Sequence, residues 1–340
     1  MFTIEPLLEL IDVKTYFHVN KNRLVKAVDG VSFTIYENEI VALVGESGSG
    51  KSMTSMSVMG LVDSPGKVTG QIRLQGEELI DLKDKKLDKI RGDKMAMIFQ
   101  EPMTSLNPVF TIGNQIIETI RKHKNVSKQE ARKRAIDLLK LVGFSRAEES
   151  LKEFPHQLSG GMRQRVMIAI AMSCNPKLLI ADEPTTALDV TIQQQILDLM
   201  LKVKSEFKSS ILLITHDLGV VAETADRVMV MYGGQIVEEA SAYDLFTNPL
   251  HPYTKGLLKS MPKLEDNKDR LEAIGGMVPA AHNFPVGCRF ASRCEYATAV
   301  CTDAMPDLVQ ASDKRNVRCF LYEEGSTTPD RSRISERVIG

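Results

Sequence analysis

"IVALVGESGSGKSMTSM" (residues 40–56) carries the pattern on which the fold turns. Its first five residues are an apolar run that reads as a buried strand, and "SMTSMSVMGLV" (52–62) reads as a helix ending near Gly60. Between them lies "GESGSGKS" (45–52), glycine-rich and closed by a lysine and a serine. Glycines let the backbone curl until successive N–H groups face one anion, and the helix that follows adds its positive end. The flanking strand and helix make this a phosphate loop. Gly45, Glu46, Ser47, Gly48, Ser49, Gly50, Lys51, Ser52 and Met53 are the residues expected to wrap a nucleoside triphosphate. Lys51 would reach the β- and γ-phosphates and Ser52 would hold Mg²⁺.

Outward from the loop, the chain alternates strands and helices. "VKAVDGVSFTIYENEIVALVG" (25–45) reads as two β segments about a polar turn. "SKQEARKRAIDLLKLVG" (127–143) is a helix with Ala131, Ala135, Leu138, Leu139 and Val142 on one face, a capping box from Ser127 and Glu130, and Gly143 at its stop. "KLLIAD" (177–182) and "SSILLIT" (209–215) read as buried strands, and "RVMVMYGGQIVEEA" (227–240) as a hairpin about Gly233–Gly234. This is an α/β pattern with a parallel sheet. Past "NPLHPYTKGLL" the pattern becomes irregular and richer in Pro and Cys, which marks a second unit, and "GSTTPDRSRISERVIG" (325–340) reads as a loose tail.

Composition sets limits. The 340 residues are 43% hydrophobic and 26% charged, as in globular proteins. Lys plus Arg is 43 and Asp plus Glu is 44, so no global charge points to nucleic acid. The start "MFTIEPLLELID" lacks the order of a signal peptide, and apolar runs such as "VMIAIAM" fall short of the roughly 18–20 residues of a membrane span. The expectation is a reducing compartment, with any membrane link made through a partner.

Chemistry enters again at "KLLIADE" (177–183), a strand ending in two acids. Asp182 is expected on the magnesium shell, and Glu183, on the other side, as general base for a water in line with the γ-phosphate. "LSGGMRQR" (158–165) then resembles the signature of the ABC-transporter ATPases, and further landmarks of that family occur in the family's order. Gln100 in "IFQEP" resembles the glutamine loop, which also meets Mg²⁺. "TALD" (186–189) with Asp189 resembles the D-loop, and His216 in "ITHD" resembles the switch histidine. Phe17, or its neighbour Tyr16, is placed like the aromatic that stacks on adenine. The resemblance covers roughly residues 6–260. It implies a P-loop NTPase core with a parallel sheet, an antiparallel β subdomain and a helical subdomain near 101–175. It also implies a head-to-tail pair of ATPases in which Ser159, Gly160 and Gly161 of one cap the ATP held by the other. Met162 stands where the signature more often has glutamine.

Three strings narrow the branch. "QEPMTSLNPVFTIGNQI" (100–116), "DEPTTALDVTIQQQI" (182–196) and "HPYTKGLL" (251–258) resemble the oligopeptide/dipeptide importer ATPases. That resemblance implies ATP hydrolysis driving peptide uptake, at the cytoplasmic face of the cell membrane. The implied partners are a related second ATPase, two permease subunits and an external peptide-binding protein, with no nucleic acid. An importer of another cargo (nickel, oligosaccharide) and a soluble ABC ATPase are the alternatives. The chain divides on this reading into an ATPase domain, 1–250, and an accessory region, 251–340. Cys288, Cys294, Cys301 and Cys319, separated by five, six and 17 residues, lack the tight pairs common in structural zinc sites. In the branch they resemble, four such cysteines ligate a 4Fe-4S cluster. Zinc and free thiols remain the other readings. Arg289, Arg293 and Arg318 lie beside them in sequence and are expected to offset the thiolate charge, whereas Cys174 reads as a packed hydrophobe.

Overall fold

The computed structural model describes residues 5–20, 23–100, 105–186, 189–261 and 274–323, and all counts below refer to these. Its strands are β1 (Leu8–Asn20), β2 (Arg23–Ile35), β3 (Ile40–Val44), β4 (Gly66–Leu74), β5 (Glu77–Glu78), β6 (Met95–Ile98), β7 (Leu178–Asp182), β8 (Ser210–Ile214), β9 (Arg227–Tyr232), β10 (Gln235–Ser241), β11 (Val309–Ser312) and β12 (Arg315–Val317). They form two sheets: an antiparallel one in the order β2-β1-β4-β5, and a larger one in the order β11-β12-β10-β9-β3-β8-β7-β6. β6, β7, β8, β3 and β9 run parallel, and β10, β12 and β11 extend the sheet antiparallel. The two segments about "ENE" thus belong to different sheets, β2 to the antiparallel one and β3 to the parallel one.

The helices of five residues or more are α1 (Lys51–Met59), α2 (Asp84–Ile90), α3 (Ile112–His123), α4 (Lys128–Leu141), α5 (Gly160–Met172), α6 (Val190–Phe207), α7 (Leu218–Thr224), α8 (Ala242–Thr247), α9 (Pro252–Lys259) and α10 (Ala299–Asp303). Central strands read as unbroken apolar runs because both their faces are covered. Val41, Leu43, Ile180, Leu212 and Ile214 meet the antiparallel sheet through Leu8, Leu10, Val28 and Ile72. The alternate residues Leu179, Ala181, Ile211 and Leu213 meet the helices through Ile112, Ile116, Leu139, Ile168 and Ile196. A third cluster joins Val228, Val230 and Tyr232 to Tyr253 and Phe290.

Local signals account for the turns. Gly233 and Gly234 both take left-handed φ, 53° and 83°, which a two-residue hairpin turn of matching twist requires. At α4 the Ser127 hydroxyl accepts from the Glu130 N–H at 3.1 Å, but the Glu130 carboxylate pairs forward with Arg134 at 2.7 Å. The expected box is therefore half a box, because an i,i+4 guanidinium competes for the acid. The charge-dense run 83–94 forms α2, with Leu87 and Ile90 buried beneath its charges.

Beyond residue 250 the chain returns to the large sheet, where β12 pairs with β10 (Glu238↔Val317, Glu239↔Asn316). Glu238 is fully buried and accepts from the N–H groups of Leu250 and His251, each at 2.8 Å. Arg315 lies 3.5 Å from it and donates to Asn248 O at 2.6 Å. Residues 325–340, the expected tail, lie outside the described residues. Arg315→Met leaves the Glu238 charge buried without its cation and should cost about 3 kcal/mol. Urea unfolding should show the loss in a single transition shared with the ATP-loop half of the sheet, whereas a separate early transition would contradict this stitching.

Candidate functional site

The large sheet delivers the site residues from neighbouring parallel strands. β3 pairs with β8 (Leu43↔Ile214) and β7 with β8 (Asp182↔Ile214), so the three strands end level. The chain leaves β3 into residues 45–52, β7 into Glu183, and β8 into Thr215 and His216.

Space and conformation both demand glycine in the loop. Gly45 and Gly50 have φ of 152° and 108°, and a Cβ on them would sit 2.2 Å from Met231 O and 2.4 Å from Ala27 O. The loop is pinned by Gly234 N–H donating to Ser49 O at 2.7 Å. Lys51 is buried and donates to Gly45 O (2.7 Å) and Glu46 O (3.1 Å). Burial pulls its ammonium below the usual value, against the pull of Glu183, Asp182 and Glu46. Gly50, the N-cap of α1, brings no side chain to the orphan N–H groups of the first turn. The Ser49 hydroxyl is buried without a hydrogen-bond partner among the described residues. These unclaimed donors beside a buried ammonium fit a phosphate chain. Ser47 and Gly48 are exposed, and Met53 packs its side chain between the sheets.

Ser52 donates to Asp182 at 3.0 Å, placing a hydroxyl and a carboxylate together as the metal reading requires. Burial pushes the Asp182 carboxyl up, with the Ser52 hydrogen bond opposing. A divalent cation would offset that burial cost. Glu183 turns away from its neighbour through a left-handed backbone (φ 47°), held by its N–H on Ile214 O at 2.8 Å. Its carboxylate gathers the remaining candidates: Gln100 Nε2 at 2.9 Å, His216 Nδ1 at 3.5 Å and the Thr186 hydroxyl at 2.9 Å. Thr186, the first residue of "TALD", has no role at the acid in the sequence reading, which assigned only Asp189 of that string; a hydroxyl three residues beyond Glu183 is its local signal.

Ser159 caps α5, accepting from Met162 N–H at 3.3 Å, and lies exposed with Gly160. Gly161 sits where a Cβ would be 2.9 Å from Ile192. Gln164, one turn on, donates to Pro184 O at 2.6 Å and ties α5 to the turn after Glu183. Asp189 caps α6 through Ile192 N–H, while Ala187 and Leu188 of "TALD" lie outside the described residues, as do residues 101–104 after Gln100.

The two aromatics face opposite ways, as strand alternation requires. Tyr16 gives its hydroxyl to Asp29, and burial followed by that carboxylate raises its pKa above the usual tyrosine value. Phe17 lies over Gly66, on the face of Thr15, whose hydroxyl meets Ser57 of α1 at 2.7 Å.

Cys288, Cys294, Cys301 and Cys319 line one apolar cavity with His251, Phe290, Pro306 and Leu321. Cys288 N–H bonds to Cys301 O at 2.8 Å. Burial pushes the Cys294 thiol up to about 11 and Cys319 up to about 12, and raises Cys288 as well. Among the described residues, no three His, Cys, Asp or Glu side chains are grouped so as to hold a metal ion. Four sulfur donors around one apolar space are nonetheless the chemistry of a thiolate-bound cluster. The arginines are engaged differently from the expectation. Arg289 bonds to Asp29 and Gly233 O, Arg293 to Glu46, and Arg318 to Ile236 O and Pro306 O. Arg318 does act on a thiol, lowering Cys288 against the larger effect of burial. Cys174 is buried between α3 and α5 as a packed side chain.

Comparison with known proteins gives consistent matches. Residues 28–186 match the family described as ABC transporter, and residues 237–301 that described as oligopeptide/dipeptide transporter, C-terminal region. The chain is 61% identical over 323 residues to the oligopeptide transport ATP-binding protein AppD of Bacillus subtilis (strain 168), covering 94% of this chain and 98% of that one. It is 47% identical over 323 residues to the dipeptide transport ATP-binding protein DppD of Haemophilus influenzae, covering 94% and 97%. Among solved structures, the dimeric ATP-binding cassette MJ0796 in a post-hydrolysis state with ADP and Pi matches with TM-score 0.62 at 30% identity, over 69% of this chain and 98% of that one. CbiO1 from Clostridium perfringens matches with TM-score 0.61 at 26% identity, over 72% and 92%.

The "HPYT" stretch contributes a pH dependence to this region. His251 Nδ1 accepts from Tyr253 N–H at 3.0 Å, and burial pushes its pKa down to about 3 from 6.5. The unfolded chain thus binds the proton first, so stability is complete above pH 6.5 and falls as pH drops toward 3. His251→Asn keeps a capping side chain without the titration. Its melting-temperature deficit against the unsubstituted protein should shrink between pH 7.5 and pH 5; a constant deficit would contradict a neutral buried imidazole.

Proposed function

The chain belongs to the ABC transporter family, in the group of its oligopeptide/dipeptide ATP-binding subunits, and from that premise we propose that it hydrolyses ATP to power peptide import. One observation carries the reading: Ser52, Asp182, Gln100, Glu183 and His216 converge at the ends of β3, β6, β7 and β8, beside the phosphate loop. In this assignment the loop and Lys51 hold the triphosphate. Ser52, Asp182 and Gln100 would hold Mg²⁺, which supplies positive charge against the phosphate oxygens. Glu183, fixed by Thr186 and Gln100, takes a proton from the attacking water, and His216 beside it positions the γ-phosphate. Phe17, on the α1 side of β1, is the aromatic assigned to adenine, since the Tyr16 hydroxyl is committed to Asp29.

The helix start at Ser159, Gly160 and Gly161, against which α6 packs through Ile192 beside its cap Asp189, is assigned to the ATP of a second, related ATPase packed head to tail. The named dimeric form of MJ0796 supports such pairing. No helix among the described residues is long and apolar enough to cross a membrane. The reading assigns the subunit permease partners at the cytoplasmic face and an external peptide-binding protein supplying cargo, supported by the transport names of its relatives. Residues 1–250 form the cassette in this reading and 251–340 the accessory region. The accessory region's four cysteines are assigned to a 4Fe-4S cluster, supported by their shared cavity.

Glu183→Gln should retain ATP binding and lower hydrolysis by at least a hundredfold, of the order that general-base loss produces; unchanged turnover removes Glu183 from that role. Protein purified without oxygen should be brown, with iron and sulfide near four each per chain. Colourless protein with stoichiometric zinc would replace the cluster with a zinc site.

A further inference from the structure

The phosphate-loop pattern leaves the residue after its first glycine unspecified, yet here it is an acid, Glu46, doubly engaged from the far end of the chain. Arg293 grips its carboxylate with both terminal nitrogens, at 2.7 and 3.0 Å, from a nearly buried position (4% exposed). The hydroxyl of Tyr253 accepts from the Glu46 N–H at 2.8 Å, and Tyr253 is itself fully buried. Arg293 is held by donating to Gly275 O at 2.8 Å, and Tyr253 by packing on Tyr232 and Phe290 with ring centroids 4.6 and 5.4 Å away. The same segment touches the cassette again where Ala281 O accepts from Lys26 N–H at 2.9 Å.

We propose that Arg293 and Tyr253 are positioning residues that hold the phosphate loop at Glu46 in its binding shape, so that the accessory region sets the affinity of the cassette for ATP. The physical reason is entropic. A glycine-rich loop with several residues at positive φ loses much freedom when it closes on a phosphate, and bonds that order it beforehand remove that cost from binding. The tyrosine fixes the backbone at the loop's first turn and the arginine fixes the side chain. Both bind the loop at Glu46 and neither bonds to Lys51, Ser52, Asp182 or Glu183, so the effect falls on nucleotide affinity and leaves the chemical step alone. Arg293 directly precedes Cys294, so latch and cysteine cavity share one turn of chain.

The inference rests on the reading that this loop binds ATP, and the experiment separates the two. Mg-ATP binding to the full chain is titrated calorimetrically in the non-hydrolysing Glu183→Gln background, with Lys51→Ala as the non-binding reference. If the parent does not bind ATP, the functional reading fails first. If it binds, Arg293→Met and Glu46→Gln should each weaken ATP roughly tenfold. The double variant should be no weaker than the worse single one, as residues in one contact behave. Tyr253→Phe, which removes one oxygen, should weaken ATP about threefold, and Arg293→Lys should recover part of the arginine's effect. In the assembled transporter with Glu183 restored, Arg293→Met and Tyr253→Phe should raise KM for ATP with kcat within twofold. Unchanged affinity in Glu46→Gln and Tyr253→Phe chains that melt as the parent does, or additive losses in the double variant, would overturn the proposal.

Discussion

The level ends of three parallel strands are the constraint from which this molecule's chemistry follows. β3, β8 and β7 run side by side with Leu43, Ile214 and Asp182 in register, so whatever follows each strand emerges at one edge of the sheet. A phosphate loop, a carboxylate pair and a histidine, up to 171 residues apart in sequence between Gly45 and His216, are thereby neighbours. Register matters more than proximity here. A slip of one residue in β7 would turn Asp182 from Ser52 toward the opposite face and break the pairing of hydroxyl and acid. The register is held by apolar side chains on both faces, Ile180 and Leu212 toward the antiparallel sheet, Leu179 and Leu213 toward the helices.

On this rigid edge the loop itself is confined rather than merely permitted. Met231 O and Ala27 O stand where side chains on Gly45 and Gly50 would go, and Gly234 ties down Ser49. The hairpin β9–β10 therefore serves the site as well as the sheet. Its two-glycine turn brings a backbone N–H against the loop, and Arg289 reaches the same turn at Gly233 O. Adjacent acids at the end of β7 take separate duties through a single backbone conformation. Asp182 remains in the strand, whereas Glu183 in the left-handed region points its carboxylate at Gln100, Thr186 and His216.

The region after residue 250 is built into the cassette at several points. β12 lengthens the central sheet, Glu238 receives the N–H groups of Leu250 and His251, and arginines from the cysteine-rich segment cross to Asp29 and Glu46. Those guanidiniums are thus bound to carboxylates of the ATPase half, and the four cysteines line an apolar cavity in which burial raises the Cys294 and Cys319 thiols.

Much of this was legible in one dimension, for local reasons. Glycine spacing followed by Lys51–Ser52, apolar runs of strand length, the Ser127 cap and the Gly233–Gly234 turn are each set by a few neighbouring residues, and the structure shows them where the sequence put them. The gathering of Gln100, Glu183 and His216 was legible only as a family order of motifs. Other features were settled by competition among partners, some three or four residues apart and some far apart in the chain. Glu130 chose Arg134 over its capping role, Thr186 joined Glu183, and Arg289 and Arg293 left the cysteines for Asp29 and Glu46. A charged side chain takes the best-placed opposite charge that packing brings near, and sequence adjacency does not decide which that is. The sequence alone determined which elements form and that one loop is shaped for phosphate. The tertiary structure decided which charges meet, because only packing sets distance, and Coulomb attraction falls with distance in space.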